Sequence, residues 1–520
     1  VKLKHLKLLS PFRSLPAGFE IEFPENQSDT IDPYCLVGLN GSGKSNLLEV
    51  CSEVFYYLER YWEESKNIKE IVHPPFGFEI TFHPSVLGKV LPFQGPIKIT
   101  KNPNQAPFYQ DLGKDANSEL REFEAVTLPE RIIGYSSGMN ELLSNPFIKM
   151  DFHYFDEFQA RVKDTRFDAI EVSRMFYMDY ESNQLVTIAN LLLPNLEDRT
   201  HLAVLTEELK IKDLHSFSIT IRKRKYGGDA VEFPSELNQA IVFLEYCATC
   251  HQSYQEGKIE VIQLDYWVND ATKQAFRKHF RTAFELFRYL YLLRLLNLHA
   301  FREKLREEVK EAGQGVNLSA LIPKPEARDL VFSINELSFR KQGILEPVYY
   351  KNLSDGEHQL LHVLGALILF DTPGTLFLLD EPETHFNPEW RSKFVSLMNK
   401  TITEKRQQEF ILTTHSPFII SDCKPERVFI FERDENNQVN YRQPDFNTFG
   451  ASVNLITLKV FGKRETIAEV AMERLRILRE QVQNGQISPE EAQIAIFTEI
   501  GDSVEKMLAI DSINKLPKPN

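Results

Sequence analysis

Residues 34–45 run YCLVGLNGSGKS. The apolar run from Tyr34 to Val37 predicts a buried strand that stops at Gly38. From Gly38 onward, Gly38, Asn40, Gly41, Ser42, Gly43, Lys44 and Ser45 lie in a stretch that fits the spacing GxxxxGK[ST] at each fixed position. A helix is expected from Lys44 to about Lys66, because Leu47, Leu48, Cys51, Val54, Phe55 and Leu58 share one face. In that setting the glycines let successive backbone N–H groups turn inward as a nest for phosphate oxygens. The helix start adds its positive end. ATP and Mg2+ are therefore the expected ligands. Lys44 should reach the β- and γ-phosphates and Ser45 should ligate magnesium, with Asn46 beside it on the first turn.

A second apolar run, Thr375 to Leu379, ends in Asp380 and Glu381. Acids at the carboxyl end of a buried strand sit where open α/β sheets bind ligands. Asp380 is the expected magnesium ligand, and Glu381 is placed to polarise the attacking water. Most of the chain separates Lys44 from Asp380, so the site must be built from two distant pieces. Upstream of Asp380, Leu353, Ser354, Asp355, Gly356 and Glu357 open an apolar helix through Leu360, Leu361, Leu364 and Leu367. Ser354 and Gly356 make an anion site at that helix start. Downstream, the apolar strand Phe410 to Thr414 ends at His415.

These motifs, in this order, resemble those of the ABC-type ATPases. LSDGE stands for their LSGGQ signature, DEPETHFNP for the DEPExHLxP form of SMC- and RecF-like members, and His415 for their switch histidine. The resemblance implies catalytic roles for Glu381, His415 and Lys44. It also implies a homodimer or higher oligomer in which Ser354 of one head meets the γ-phosphate held by the other. Asn387 stands where an aspartate is usual, which leaves its interface role open. Gln184, after a strand and at a helix start, is a candidate for the Q-loop, and the loop Tyr135 to Gly138 is its rival. Arg13 is a candidate for the N-terminal basic residue brought near the nucleotide.

The segments FRSLPAGFEIEF, CLVGLNGSGKSNLLE, IIGYSSGMNELLSNPF and LLDEPETHFNPEWR together resemble the PtuA-type ATPases of Septu and retron-associated antiphage systems. That resemblance implies a PtuB-like HNH endonuclease as partner and, in retron versions, a reverse transcriptase with its RNA–DNA product. No DxD acid pair of a Toprim nuclease follows His415, so cutting is expected of a partner. A RecF/SMC-like DNA-repair ATPase without a toxic effector is the alternative.

The expected fold class is α/β: a split ABC-type P-loop head with a large, mainly helical insertion and a helical C-terminal extension. Residues 1–195 form the first part of the head, with a β/loop insertion at about 73–130. Residues 196–324 are the helical insertion, broken by a hairpin near Tyr226, Gly227 and Gly228, with one long aromatic helix from Thr272 to Ala312. Residues 325–450 complete the head, and 451–520 are helical. Ser488, Pro489 and Glu491 mark a helix start there.

In 520 residues, 42% are hydrophobic and 26% charged, as in globular proteins, and the net charge is −14. A whole-surface nucleic-acid coat is not expected, but Arg222 to Lys225 and Arg277, Lys278 and Arg281 are local basic clusters. Five cysteines are no disulfide framework. Cys247 and Cys250, in a CxxCH run, are read as helix cysteines. No signal-like or membrane-spanning segment stands out, which points to the cytoplasm and to no membrane partner.

Overall fold

The computed structural model describes residues 2–25, 30–65, 75–84, 95–113, 121–122, 128–138, 141–162, 173–194, 200–224, 233–313, 315–403, 407–463 and 467–515. Strands β1 (Lys2–Leu8) and β2 (Glu20–Glu22) lead to β3 (Tyr34–Gly38) and helix α1 (Lys44–Ser65). Next come β4 (Phe78–His83), β5 (Ile97–Lys101), β6 (Pro107–Asp111), β7 (Arg121–Glu122) and β8 (Arg131–Ser136). Helix α2 (Asn145–Val162), β9 (Met175–Tyr177) and α3 (Tyr180–Leu192) close the first part of the head.

The middle of the chain holds α4 (Thr200–Glu208), β10 (Ile211–Arg224), α5 (Ser235–Cys247), β11 (Cys250–Glu256) and β12 (Ile259–Trp267). Helices α6 (Asp270–His279), α7 (Ala283–Leu295), α8 (Glu303–Glu311) and α9 (Leu318–Leu321) follow. Strands β13 (Phe332–Lys341) and β14 (Val348–Tyr349) precede α10 (Asp355–Leu369), β15 (Thr375–Asp380), α11 (Pro388–Thr401) and β16 (Glu409–Thr413). The chain continues through α12 (Pro417–Ser421), β17 (Val428–Arg433), β18 (Val439–Arg442) and α13 (Val453–Phe461). It ends in α14 (Glu469–Gln483), α15 (Pro489–Glu499) and α16 (Val504–Asn514).

The centre is a seven-stranded sheet in the order β18-β17-β3-β16-β15-β8-β9, parallel except for β18. Its inner strands β3, β15 and β16 are buried along their whole length, because both faces of the sheet are covered. Alternation divides them. Leu376 and Leu378 pack with α1 residues, whereas Phe377 and Leu379 pack with residues of α3 and α10. Each fully buried Leu or Phe contributes roughly 1.5–3 kcal/mol. A six-stranded antiparallel sheet, β2-β1-β4-β5-β6-β7, holds the region expected as a β/loop insertion. The expected fold class, an α/β head built from two pieces of the chain with a helical extension, is the one observed.

The insertion is mainly helical, as expected, but it also carries a sheet that the sequence reading did not place. A five-stranded antiparallel sheet, β11-β12-β10-β13-β14, runs through it. Strand β13 pairs with β10 from Ile211↔Lys341 to Ile221↔Phe332, so the boundary expected at 325 cuts through this sheet. The long helix expected from Thr272 to Ala312 is instead α6, α7 and α8. Thr282 caps α7 by accepting the N–H of Glu285, and the chain is extended again at Phe301. Cys250 lies on strand β11 and is exposed, whereas Cys247 ends α5 and is buried. Tyr226, Gly227 and Gly228 lie outside the described residues, as does Lys225.

The extension also divides. Ile456 and Val460 of α13 join the head core, while α14, α15 and α16 surround a small core of their own around Leu475, Leu478 and Ile496. Ser488 and Glu491 form the expected capping box of α15.

Candidate nucleotide site

Strand β3 delivers the phosphate loop at the carboxyl end of the central sheet. Two glycines there are dictated by contact as well as by backbone conformation. Gly38 has φ +141°, and a Cβ on it would lie 2.3 Å from the carbonyl oxygen of Phe431 on β17. Gly43 has φ +99°, and its Cβ would meet Cγ1 of Val439 at 2.8 Å. A side chain at Gly38 would displace β17, and one at Gly43 would displace the side chain of Val439. Arg433 Nε donates to the carbonyl of Gly41 at 2.9 Å, so β17 and β18 brace the loop from outside. Leu39, Asn40 and Gly41 form its exposed tip.

Ser42 and Lys44 point inward and are buried. The hydroxyl of Ser42 has no hydrogen-bond partner among the described residues. Lys44 Nζ donates to the carbonyls of Gly38 and Leu39, each at 3.1 Å. Burial lowers the pKa of Lys44, opposed by the nearby charges of Glu381 and Asp380. An unpartnered hydroxyl, a folded-back ammonium and a cradle that excludes Cβ atoms fit a bound phosphate chain.

Asp380, at the end of β15, is the hub. Its Oδ1 accepts from Ser45 Oγ at 2.9 Å and from Thr413 Oγ1 at 2.6 Å, while Oδ2 accepts from Ser136 Oγ at 3.3 Å. Strands β8, β15 and β16 are neighbours in parallel register, with Asp380 opposite both Ser136 and Thr413. Adjacency in the sheet thus joins residues 136, 380 and 413, and Ser45 reaches in from the start of α1. Burial raises the carboxyl pKa, and the hydrogen bonds from Thr413 and Ser45 oppose it. Ser45 Oγ and the Asp380 carboxylate are hard oxygen donors of the kind Mg2+ takes, usually alongside waters and phosphate oxygens.

Glu381 follows in the left-handed region, φ +49°. For a residue with a side chain this costs of order 1–3 kcal/mol and needs support from its surroundings. Thr413 Oγ1 accepts its N–H at 2.9 Å, and its carbonyl accepts from Thr384 Oγ1 at 3.0 Å and from Gln359 Nε2 at 3.4 Å. The twist turns the side chain toward His415, whose Nε2 lies 3.3 Å from Oε1. That imidazole, ahead of any other cause, holds the Glu381 carboxyl below its ordinary pKa. His415 is itself stacked on Phe461 of α13, with ring centroids 6.1 Å apart. An ionised carboxylate beside an imidazole can orient a water and take up its proton.

Ser354 and Gly356 lie apart from this cluster. They line a groove with His385, Asn387 and Trp390. Ser354 caps α10 in a reciprocal box with Glu357, and Glu357 pairs with Lys341 of β13. A Cβ on Gly356 would lie 2.8 Å from the carbonyl of His385, so the glycine permits that close packing. Asn387 caps α11 by accepting the N–H of Trp390 at 2.8 Å.

Of the two remaining candidates, one needs correction. Gln184 does not open a helix; it stands in the second turn of α3 and lines another cleft with Tyr180 and Tyr350. The rival loop supplies the side chain at the cluster, through Ser136. Arg13 does flank the phosphate loop, but its guanidinium pairs with Glu49 of α1. Burial pushes Glu49 up to about 7. Next to it, Ser14 Oγ accepts from Asn46 Nδ2 at 2.5 Å.

Sequence reasoning missed Thr413, Arg433, Phe461 and Gln359, and reached Ser136 only as part of the rival loop. A threonine ending the strand before His415 was visible, but its task depends on which strand lies beside β15. The others have no local signature.

Comparison with known proteins adds the following. Residues 207–421 match the family model described as "AAA domain, putative AbiEii toxin, Type IV TA system". That span includes Ser354, Asp380 and His415 but not the phosphate loop. Protein ea59 of Escherichia phage lambda is 27% identical over 113 residues, covering 22% of this chain and 21% of its own length. Septu protein PtuA of Bacillus thuringiensis is 28% identical over 144 residues, covering 25% of this chain and 36% of its own. The chain therefore spans about a fifth and about a third of the curated relatives it matches. Among solved structures, the SMC head domain from Thermotoga maritima aligns with 86% of this chain and 100% of its own at 12% identity and TM-score 0.33. RecF with a bound ATP analogue aligns with 84% and 97% at 12% identity and TM-score 0.31. The family match covers less than half of the chain, and the loop and sheet described above have the form of a P-loop nucleotide site.

Proposed function

We propose that this chain is an ATP-driven head that works in pairs and acts on DNA, in the manner of RecF- and SMC-like ATPases. Lys44 and the loop N–H groups bind the phosphates, and Ser45 and Asp380 hold Mg2+. Magnesium, when bound, neutralises charge on the phosphate oxygens. Glu381 orients the attacking water and accepts its proton, and His415 keeps that carboxylate ionised and aimed. What carries this reading is the division of the site. Ser45, Asp380, Glu381 and His415 converge in one chain, whereas Ser354 and Gly356 line a separate, open groove. A second head facing the first would bring its signature serine to the phosphates.

The test is size-exclusion chromatography with light scattering, in ATP and Mg2+, on the wild type and Glu381→Gln. A dimer that forms with ATP, persists in Glu381→Gln and is lost in Ser354→Arg supports the reading. A monomer under all three conditions overturns it.

A second reading is favoured by the similarity to Septu protein PtuA. The same ATP cycle would control an associated HNH nuclease in an antiphage complex, with a reverse transcriptase and its RNA–DNA product where a retron is present. Purification of the tagged protein from its own operon tests it by recovering that nuclease or not.

A further inference from the structure

The five-stranded sheet in the middle of the chain has one face on the core and one face open. Along β10, Phe217, Ile219 and Ile221 point into the core. Ser216, Ser218, Thr220 and Arg222 point the other way, into a cleft of about 1400 Å³. Its floor is polar. Ser218 Oγ donates to Asp265 Oδ1 at 2.6 Å, and Asn335 Nδ2 donates to Thr220 Oγ1 at 3.1 Å.

The rim is aromatic. Tyr180, Tyr254, Trp267 and Tyr349 are 47%, 41%, 53% and 42% exposed. They make up four of the eight exposed Phe, Tyr and Trp side chains among the described residues, gathered around one cleft. Arg222 contributes a further signal. Its Nε and Nη1 are shielded from water and have no hydrogen-bond partner among the described residues. Buried guanidinium N–H groups without an acceptor are costly, and a bound anion relieves that cost. Lys351 stands on the same rim, its ammonium 5.8 Å from the Tyr349 ring.

We propose that this cleft binds a single-stranded nucleic acid, with bases stacked on Trp267, Tyr254 and Tyr349 and a phosphate on Arg222. Open aromatic rings on an antiparallel sheet backed by helices suit unstacked bases. In a duplex those base faces are already covered. The polar floor offers both donors and acceptors to base edges, Asp265 and Thr220 among them. Asp265 and Glu336 offset the charge of Arg222 and Lys351, so stacking rather than phosphate attraction leads the binding. The site has a direct route to the ATPase. Tyr180 packs on Tyr350 and on His358 of α10, the helix that Ser354 caps, with ring centroids 5.1 and 5.6 Å apart. That coupling rests on the reading of the chain as an ATPase acting on nucleic acid; strand binding itself does not.

The experiment is fluorescence anisotropy on the full chain without nucleotide. The probes are end-labelled oligo-dT, oligo-U and a mixed-sequence duplex of equal length. A single strand should bind at least about tenfold more tightly than the duplex, and should quench tryptophan emission. Trp267→Ala and Tyr254→Ala should each weaken binding about tenfold, the scale of one lost base stack. Arg222→Gln should weaken it and flatten the dependence on salt by about 0.7 in logarithmic slope. Binding of oligo-dT alone assigns the site to DNA, and of oligo-U alone to RNA. Trp267 is more than half exposed, so its truncation should leave the melting temperature unchanged. Equal or tighter duplex binding, no strand binding at low salt, or unaltered affinity in Trp267→Ala and Arg222→Gln would overturn the proposal. Protection of the cleft by a polypeptide in the native complex, with no strand binding, would assign it to a protein partner instead. Glu381→Gln should bind the strand normally, which separates failure here from failure of the ATPase reading.

Discussion

The hydroxyl of Thr413 holds Asp380 in place, donating to Oδ1 over 2.6 Å. The same oxygen accepts the N–H of Glu381 at 2.9 Å, so one side chain positions both acids of the site. Thr413→Val keeps the branched shape but removes both bonds. It should lower magnesium affinity or turnover by about 10- to 100-fold, as losses behind a metal ligand do. Magnesium titrations of ATPase activity check this, and unchanged half-saturation and turnover would refute it.

Glu381 is the proposed general base of hydrolysis. Glu381→Gln keeps the size of the side chain and the backbone bonds to Thr413, but cannot accept a proton. Turnover should fall by about 10²- to 10⁴-fold, the usual worth of a general base. ATP binding, followed by a fluorescent analogue, should remain within a few-fold of wild type.

His415 is positioned by its neighbour from the C-terminal side, Phe461. Phe461→Ala removes the stacked ring without touching the ligand-binding oxygens. It should reduce kcat by roughly tenfold, a loss of about 1.4 kcal/mol from an aromatic contact. KM should stay nearly constant. A rise in KM with unchanged kcat would show that the ring acts on binding rather than on the histidine.

Glu383 gives a pH signature. It is buried, takes a hydrogen bond from Thr414, and burial pushes its pKa up to about 7. Its unfolded value is near 4.5. Between about 4.5 and 7 the folded state therefore holds a proton that the unfolded state releases. This contribution to stability is full below about 4.5 and is lost as pH rises through about 7. Glu383→Gln cannot ionise, so its unfolding free energy should vary less over that window, by about 1–3 kcal/mol. Urea unfolding at pH 5.5 and 8 reads the difference directly.

Gly38→Ala separates fold from function. A methyl group there collides with the Phe431 carbonyl on the neighbouring strand. Destabilisation of about 2–4 kcal/mol is expected by chemical unfolding, beyond any loss of nucleotide binding. Gly41, whose Cβ would meet nothing within 4 Å, should cost less at the same substitution.

The head was legible because its motifs are local. A strand ending in YCLVG, a helix opened by Ser354 and two acids after an apolar run each announce themselves within a dozen residues. Ser136 was harder, since only the order of strands puts β8 beside β15, and Gln184 therefore looked as good. The middle sheet was partly readable. Phe217, Ile219 and Ile221 alternate with Ser218 and Thr220 at the period of a strand. Strand β11 gives no such sign, because all seven of its residues are exposed. Its place follows from pairing with β12, which no local pattern encodes.

Strand β3 hydrogen-bonds only to β16 and β17 in its sheet. Those partners begin at Glu409 and Val428, so a ribosome must add roughly 370 more residues after Gly38 before either exists. At about 5–20 residues per second, the phosphate-loop strand waits on the order of 20–75 s with its hydrogen-bonding edges unmet. The five buried residues Tyr34 to Gly38 would be exposed during synthesis as a short, uncharged β-forming segment. Newly made chains should thus depend on chaperones far more than the finished protein does, and ribosome stalling anywhere before residue 409 should release an aggregation-prone product.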